Sequence, residues 1–539
     1  MALGVYFSRC GGAVDSVIDV DTALAGVRDR AAVVRVVDDL FDPATIDEIT
    51  QDIADAHLDA MVLAGHSIDY YTKALSGGTI KDRFVAAGVN PNRITIANVL
   101  EQGALAHPDD PVGASIKARA IIDIAALRAE TAPMVEGIVS EPLQTVLILG
   151  VTSEAIVATQ RLIQLGYSVI LADRGSGSEF VRRAAQPGTT SAFFLTATYV
   201  LGHPKAHFVD NVKLVDGDGW LGDFHITFES PSGRSTYKVG GILLARPDSA
   251  EWLAELRPHF KVDIDDEGNA RSISPSMHPA ETVEPGLMVV PMRKVQGLAR
   301  DKVAAADSAA MALVLQLSQP VATHLIDTSV VDESLCGGCA TCVRTCAFGA
   351  CSLDENGMSH VDVRRCRGCG KCVVSCPVGA RDIVTSPHHY LLDAVRQLAK
   401  VPVEGERVLG FLCSGCGYPA ADDAAKFIAK RGKGYPASFL PLRIPCGGRL
   451  DTLYVLEAFK NGFDAVCVYR CKEDHCHNLI GNLDMDRRIN LLRVVLRSRG
   501  IDDDRLRIVD ISSSEGEKFV ESVEGVFEAV SELGGVRCG

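Results

Sequence analysis

Short apolar runs alternate with segments of helical period over residues 1–138. The apolar runs lie at 4–7, 32–37, 58–64 and 93–97. Strand-like runs in alternation with helices predict an α/β layer domain. Loops that follow such strands are where α/β folds place functional groups, and His66 lies in one of them. We interpret His66 as a loop or capping residue, and Cys10, in the turn after the first strand, as an incidental thiol.

The next block, residues 139–329, begins with a βαβ unit. It comprises a strand, a helix and a second strand, at 146–150, 153–165 and 168–173. This order is typical of dinucleotide-binding, Rossmann-like domains. Farther along, residues 211–229 alternate like antiparallel strands around a turn predicted at 217–219.

The glycine fingerprint of this βαβ unit is incomplete. Gly150 occupies the first glycine position, but Thr152 and Ala155 occupy the second and third. A threonine β-carbon hinders the close approach of a pyrophosphate to the backbone. The helix N-terminus still offers N–H groups, Ser153 adds a hydroxyl, and Asp173 is placed to hold a ribose. Two interpretations stay open: bound FAD on Gly150, Ser153 and Asp173, or a truncated flavoprotein-type layer kept for structure.

The last block, residues 406–539, alternates strands and helices regularly after a linker at 386–405. Predicted strands lie at 407–412, 438–444, 465–469 and 506–511. Predicted helices lie at 420–430, 449–460, 484–499 and 515–533. Parallel strands joined by crossover helices predict an open, doubly wound α/β sheet. The whole chain is thus an α/β multidomain protein with one further insert.

That insert, at residues 330–385, is a small α+β domain defined by eight cysteines. Each half reads C-x2-C-x2-C-x3-C, the run of two-cluster bacterial ferredoxins, in which the fourth cysteine ligates the other cluster. We therefore assign one [4Fe-4S] cluster, called cluster I, to Cys336, Cys339, Cys342 and Cys376. Cluster II takes Cys366, Cys369, Cys372 and Cys346. Two interpretations are open for Arg367 and Lys371, beside cluster II: they raise its potential or form a docking surface, or they are solvated charges, which we favour.

Zinc and disulfides are the alternatives to iron and sulfide. Structural zinc needs four ligands, commonly two separated cysteine pairs, so it leaves this dense run unexplained. Disulfides require an oxidising compartment, and the N-terminal residues read as a first strand, without a basic region or cleavage site. We expect a cytoplasmic location, with any membrane attachment made through a partner, because apolar runs are interrupted by charges before they reach spanning length.

A second cysteine group follows the predicted strands of the last domain. Its members are Cys413, Cys416, Cys446, Cys471 and Cys476. Because the carboxyl ends of parallel strands meet at one edge, these thiols should meet in space. Gathered thiolates suit an iron–sulfur cluster or zinc, and four suffice, so one of the five is spare. His475 and His477 flank Cys476, and we expect roles other than metal ligation for both.

Composition narrows the function classes. The chain has 539 residues and a formal charge of −15, which argues against nucleic acid because such binding needs a basic surface. Seventeen cysteines are many for a cytosolic chain and indicate metal ligation.

These motifs support a family comparison. Residues 1–385 resemble the A-type subunit of heterodisulfide reductase, through residues 9–12, 88–91 and 97–102, the βαβ start at 146 and the ferredoxin run. Residues 406–539 resemble the delta subunit of methyl-viologen-reducing hydrogenase, through 413–416, 446–449, 471–477 and 512–519. The two modules in this order are similar to the B-type subunit of the quinone-interacting membrane-bound oxidoreductase. The resemblance implies a [2Fe-2S] cluster on the C-terminal cysteines.

Three departures from the family pattern bear on function. The flavin domain is shorter, the closing flavin loop reads Val-Val-Pro-Met-Arg-Lys at 289–294, and Ser8 replaces the first cysteine of an N-terminal Cys-x-Cys pair. The first two weigh against flavin, and the third against Cys10 as a metal ligand.

The resemblance implies an electron-transfer subunit of a redox complex. Its partners would be hydrogenase, formate dehydrogenase, heterodisulfide reductase B/C-like or quinone-linked subunits. Two alternatives stay open: an FAD-containing subunit that bifurcates electron pairs, and a scaffold whose clusters mainly hold the fold. The sequence leaves open whether the chain itself catalyses a reaction.

Overall fold

The structure is a computed structural model of the chain. It describes residues 1–72, 79–135, 138–186, 193–246, 248–265, 267–270, 272, 280–290, 299–318, 322–324 and 328–534. Of the predicted flavin-closing loop, residues 291–294 lie outside these ranges. No helix in the described part of the chain has the length and apolar character needed to cross a bilayer.

The N-terminal domain is built on a parallel sheet. Its elements are β1 (Leu3–Ser8), α1 (Val20–Leu24), β2 (Val33–Val37), α2 (Pro43–Asp55), β3 (Ala60–Gly65), α3 (Ile68–Thr72), α4 (Ile80–Ala86), β4 (Ile94–Asn98), a π-helix (Leu100–Ala104) and α5 (Pro111–Thr131). The strand order is β2-β1-β3-β4. All residues of β1 and β3 are buried, as expected for central parallel strands. The predicted α/β class is confirmed.

The middle domain combines a parallel and an antiparallel sheet. Its elements are β5 (Ile138–Ser140), β6 (Thr145–Leu149), α6 (Ser153–Gln164), β7 (Ser168–Ala172), α7 (Gly177–Ala184), α8 (Phe194–Gly202), β8 (Ala206–Val209), β9 (Lys213–Trp220), β10 (Asp223–Ser230), β11 (Gly233–Val239), β12 (Gly241–Leu244), α9 (Ala250–Leu256), β13 (Leu287–Val289), α10 (Ala299–Leu317) and β14 (Ala322–His324). The parallel sheet has the order β13-β12-β6-β7-β8, and β11-β10-β9 form the antiparallel sheet.

The turn predicted at 217–219 is wrong. Strand β9 runs through these residues, and Trp220 pairs with Asp223 across a tighter turn. Gly219 has a φ of +99°. A β-carbon there would lie 2.2 Å from the Asp223 carbonyl oxygen and 2.8 Å from Nη2 of Arg364. The missing side chain of Gly219 therefore leaves room for an arginine of the ferredoxin domain, and the residue does not form a chain-reversing turn.

The ferredoxin domain consists of two short halves. Its elements are β15 (Ser329–Val331), α11 (Thr341–Thr345), β16 (Cys351–Leu353), β17 (Ser359–Val361), α12 (Lys371–Ser375) and β18 (Arg381–Ile383). Strand β15 pairs with β18, and β16 pairs with β17, both antiparallel. Each helix begins after a residue in the left-handed region, Ala340 for α11 and Gly370 for α12. The halves thus repeat the same turn around their cysteines.

The C-terminal domain has the predicted doubly wound sheet. Its elements are α13 (His388–Ala399), β19 (Val408–Cys413), α14 (Gly417–Arg431), β20 (Phe439–Ile444), α15 (Thr452–Lys460), β21 (Ala465–Arg470), α16 (Gly481–Ser498), β22 (Leu506–Asp510) and α17 (Gly516–Leu533). The four parallel strands have the order β20-β19-β21-β22. Helix α13 lies in the segment predicted as a linker, and its Leu391 and Val395 belong to the core of this domain.

Candidate iron–sulfur sites

Five of the cysteines of the C-terminal domain, the predicted ligands, gather at one edge of the sheet. Three of them, Cys413, Cys416 and Cys471, place their sulfur atoms within 4.8 Å of one another. The Sγ of Cys471 lies 3.1 Å from that of Cys416 and 3.9 Å from that of Cys413. All three thiols are buried. Such a group of sulfurs offers a soft cation most of a tetrahedral ligand set.

The other two cysteines of this group, Cys446 and Cys476, lie against Gly481. A β-carbon on Gly481 would come within 2.5 Å of the Cys446 sulfur and 3.5 Å of the Cys476 sulfur. Both cysteines belong to the same buried cluster as Cys413, Cys416 and Cys471. The five thiols therefore form one continuous group, which we call the C-terminal centre.

His477 connects the C-terminal centre to the middle domain. Its Nδ1 lies 3.5 Å from the Cys471 sulfur and 3.9 Å from the Cys416 sulfur. Its Nε2 lies 3.2 Å from Oδ1 of Asp263, and both side chains are almost fully buried. Burial lowers the pKa of His477, but the Asp263 carboxylate outweighs it, and the net shift is upward. A protonated imidazole beside the sulfurs favours added negative charge there, which tunes a redox centre.

Cysteines of cluster I lie nearer to solvent than those of cluster II. Cys339 is exposed, whereas Cys342 is buried with its sulfur 3.1 Å from Oγ of Ser359. In cluster II, the side chain of Cys369 is half-buried. The burial of its sulfur raises its pKa to about 12. The charges of Cys366, Cys372 and Cys346 raise the same pKa. These three cysteines therefore lie near Cys369, and their assignment to one cluster stays a prediction.

Cys351, which carried no recognisable motif, lies inside the cluster II group. It packs in one buried cluster with Cys372, and Cys346 packs against this cluster. Nη2 of Arg381 lies 2.9 Å from the Cys351 sulfur. Sequence spacing could not identify Cys351, because it falls outside the C-x2-C-x2-C-x3-C pattern.

Arg367 and Lys371 are not solvated, and their interpretation as surface charges is wrong. They are 8% and 1% exposed. Arg367 donates from Nε to the His259 carbonyl at 2.8 Å and from Nη1 to the Gly219 carbonyl at 3.0 Å. Nζ of Lys371 lies 2.6 Å from Oδ2 of Asp484. Arg367 therefore attaches cluster II to the middle domain, and Lys371 attaches it to the C-terminal domain.

Replacement of Arg367 by leucine should loosen the ferredoxin domain from the middle domain. The change leaves the buried Glu284 carboxylate, 3.6 Å from Nη1, without its cation. Breaking a buried ion pair in this way costs about 3–5 kcal/mol. We expect a lower first thermal transition and faster proteolytic cleavage between the two domains. Exposed Lys238 is the matched control, and Lys238→Ala should leave both unchanged. Equal behaviour of the two variants would contradict the interface role of Arg367.

In the βαβ loop of the middle domain, the polar side chains form hydrogen bonds to other groups of the same domain. Gly150 has a φ of +83°, as the first glycine of a dinucleotide loop requires. However, Oδ2 of Asp173 accepts a hydrogen bond from the Val151 N–H at 2.8 Å. Oγ1 of Thr152 accepts from the Ala155 N–H at 3.1 Å, and Oγ of Ser153 contacts a lysine. A carboxylate on the loop's own N–H disfavours a pyrophosphate there, whereas the positive φ of Gly150 favours one.

Two thiolate runs of ferredoxin type beside a buried five-thiol centre define an iron–sulfur redox protein. Comparison with known families agrees. A family described as "4Fe-4S binding domain" matches residues 360–382. A family described as "Methyl-viologen-reducing hydrogenase, delta subunit" matches residues 408–534.

Relatives of both predicted kinds are found. The A-type subunit of the ferredoxin/F420H2-dependent CoB-CoM heterodisulfide reductase of Methanosarcina acetivorans is 38% identical over 204 residues, which are 38% of this chain and 25% of that protein. The D-type vhc iron–sulfur subunit of the F420-non-reducing hydrogenase of Methanococcus voltae is 34% identical over 128 residues, 24% of this chain and 86% of that protein. Through its C-terminal domain, the chain belongs to the hydrogenase delta-subunit family.

The chain spans about a quarter of the length of the heterodisulfide reductase relative that it matches. Among solved structures, the thioredoxin reductase of T. acidophilum is similar over 32% of this chain and 98% of that chain, at 10% identity and a TM-score of 0.21. A score this low supports no argument. The predicted fusion of a heterodisulfide-reductase-A-like part with a hydrogenase-delta-like domain is confirmed by the two relatives.

Proposed function

We propose that this protein is an electron-transfer subunit that carries electrons between its C-terminal centre and its ferredoxin domain. The observation that carries the proposal is the position of Cys369. This cluster II cysteine packs against the buried residues that include all five thiols of the C-terminal centre. The two metal sites are thereby neighbours across a domain interface.

Close backbone packing supports the same path. A β-carbon on Gly370 would lie 2.2 Å from Cδ of Arg449, and one on Gly448 would lie 2.8 Å from Cγ of Lys371. Glycines at both positions allow the two domains to approach closely where the sites meet. The proposed order is C-terminal centre, cluster II and cluster I. The exposed Cys339 makes cluster I the end nearest to an external acceptor or donor.

The proposed cofactors are two [4Fe-4S] clusters and one [2Fe-2S] cluster. Thiolate ligation, hydrogen bonds to sulfur and burial set their potentials. The chain's own residues contribute these terms through His477, Arg381 and the buried Cys351. The names of the relatives support a hydrogenase on one side of the path and a heterodisulfide-reductase-like protein on the other.

The path can be tested by electron paramagnetic resonance during a reductive titration. Adjacent paramagnetic clusters broaden or split each other's signals. We expect the [2Fe-2S] signal to broaden once cluster II is reduced, and to regain its narrow form in Cys369→Ala. A [2Fe-2S] signal whose width does not change when cluster II is reduced would contradict the proposed path.

A flavin-containing subunit is the second candidate function. The positive φ of Gly150 and the N-terminus of α6 behind it favour this alternative. Asp173 disfavours it, because its carboxylate already accepts a hydrogen bond from the Val151 N–H of the same loop. About one FAD per chain in the purified protein would support the flavoprotein, and flavin-free protein with an iron–sulfur spectrum would support the relay alone.

A further inference from the structure

Outside the iron–sulfur sites, one group of reactive side chains lies together in the N-terminal domain. Cys10 follows β1, His66 follows β3, and Glu101 lies in the π-helix after β4. Parallel strands end at the same edge of a sheet, so the three residues meet there. A π-helix is rare and often marks a functional site. Neither the ferredoxin domain nor the C-terminal centre uses these residues.

The imidazole of His66 lies between the thiol and the carboxylate. Its Nδ1 lies 3.4 Å from Oε1 of Glu101. The Cys10 sulfur lies beside the preceding residue, 3.6 Å from the position of a β-carbon built on Gly65, and its thiol donates to the Ser8 hydroxyl at 3.5 Å. The Tyr70 ring packs against the imidazole, with centroids 4.6 Å apart. The backbone N–H of His66 donates to the Tyr71 hydroxyl at 3.1 Å, which holds the loop after β3 in place. A thiol, a base and a carboxylate that orients the base form the arrangement of an activated nucleophile.

The surroundings of His66 favour its protonated form. Burial lowers the pKa of His66, but the hydrogen bonds and charges of Cys10 and Glu101 outweigh it and raise the pKa to about 10. Among the described residues, Oε2 of Glu101 is buried without a hydrogen-bond partner, and Oε1 faces the imidazole. An imidazolium beside a cysteine favours the reactive thiolate.

The turn that carries Cys10 is open but lacks an oxyanion site. Cys10 has a φ of +49°, a strained conformation for a residue with a side chain. Gly11 and Gly12 have open space around them, with no atom within 4 Å of a β-carbon built on either. The N–H groups of Gly11, Gly12 and Ala13 all donate to backbone carbonyls. No donor in this turn is left for a tetrahedral oxyanion, which disfavours acyl transfer.

We propose that Cys10, His66 and Glu101 form a thiol-exchange site that takes small disulfides as substrates. The Cys10 thiolate attacks one sulfur of the disulfide and forms a mixed disulfide with it. The original sulfur–sulfur bond breaks, and its electron pair leaves with the other half as a thiolate. That thiolate takes a proton from the His66 imidazolium, which becomes neutral. Such an exchange needs no oxyanion donor and no further oxidant.

The site can be tested on the intact, cluster-loaded protein under anaerobic conditions. The probe is bis(2-hydroxyethyl) disulfide at neutral pH, and the readout is the rate at which the Cys10 peptide gains one hydroxyethylthio group, followed by mass spectrometry. An ordinary thiol is only a few per cent thiolate at this pH, and thiolates of lower basicity are weaker nucleophiles, so activation should amount to about tenfold. We expect His66→Gln to slow the reaction by that factor.

Two further variants keep the test decisive. Glu101→Gln retains the shape of the carboxylate and should slow the reaction in the same direction, even if His66→Gln impairs folding. His57→Asn, at an exposed position of the same domain, should leave the rate unchanged. Iron content and the thermal transition of each variant report on folding. A Cys10 that does not react in folded protein, or reacts equally fast without Glu101 and His66, would overturn the proposal.

Discussion

Replacement of Cys369 by alanine should stop electron passage between the C-terminal centre and the ferredoxin domain while the protein remains assembled. Cys369 is the cluster II ligand that packs against the thiols of the C-terminal centre. Changes in residues that merely surround a metal site lower activity by about 10–100-fold, so loss of a ligand on the path should exceed a hundredfold. The measurement is the rate at which cluster I is reduced after rapid reduction of the C-terminal centre.

The matched control for this variant is Cys339→Ala. Cys339 is exposed and belongs to the opposite end of the ferredoxin domain. We expect its loss to impair cluster I and leave the exchange between cluster II and the C-terminal centre intact. If instead Cys369→Ala caused the domains to separate, as judged by proteolysis and size, the clusters would be acting as a scaffold, and the electron-transfer proposal would fail.

Replacement of Cys471 by alanine should remove the C-terminal centre selectively. Its sulfur lies 3.1 Å from that of Cys416 and 3.9 Å from that of Cys413, so it is the thiol that joins the other two. We expect the loss of about two irons per chain and of the [2Fe-2S] resonance signal, with both cubane signals retained. Iron analysis and resonance spectra of the anaerobically purified variant are the measurements.

Cys467→Ala is the control on the same strand. Cys467 is fully buried within β21, four residues before Cys471 and away from the sheet edge. Its replacement should leave the iron content unchanged. Equal iron loss from both variants would show that the effect of Cys471→Ala arises from damage to the fold.

The strands and cysteine motifs were predictable because their signals are local. Central parallel strands are buried on both faces and therefore appear as short apolar runs, as β19 and β21 do. The ferredoxin spacing is fixed by the size of a cubane, so it too is visible in the sequence. The order of the two modules followed from such motifs and is confirmed by the relatives.

The electrostatic surroundings of the sites were not predictable, because they depend on distant parts of the chain. Arg367 binds carbonyl groups 108 and 148 residues away in sequence. His477 finds its carboxylate partner in another domain, at Asp263. The prediction of a turn at 217–219 was wrong for the same reason, because Gly219 leaves room for an arginine that lies far away in the sequence, in the ferredoxin domain. A single sequence holds no local signal for contacts of this kind.

The iron and labile sulfide content of anaerobically purified protein tests the central claim most directly. Two [4Fe-4S] clusters and one [2Fe-2S] cluster predict about ten irons and about ten sulfides per chain, with a brown colour that bleaches on reduction. Colourless protein in which iron and sulfide are both near zero, or in which zinc occupies the cysteines, would contradict it.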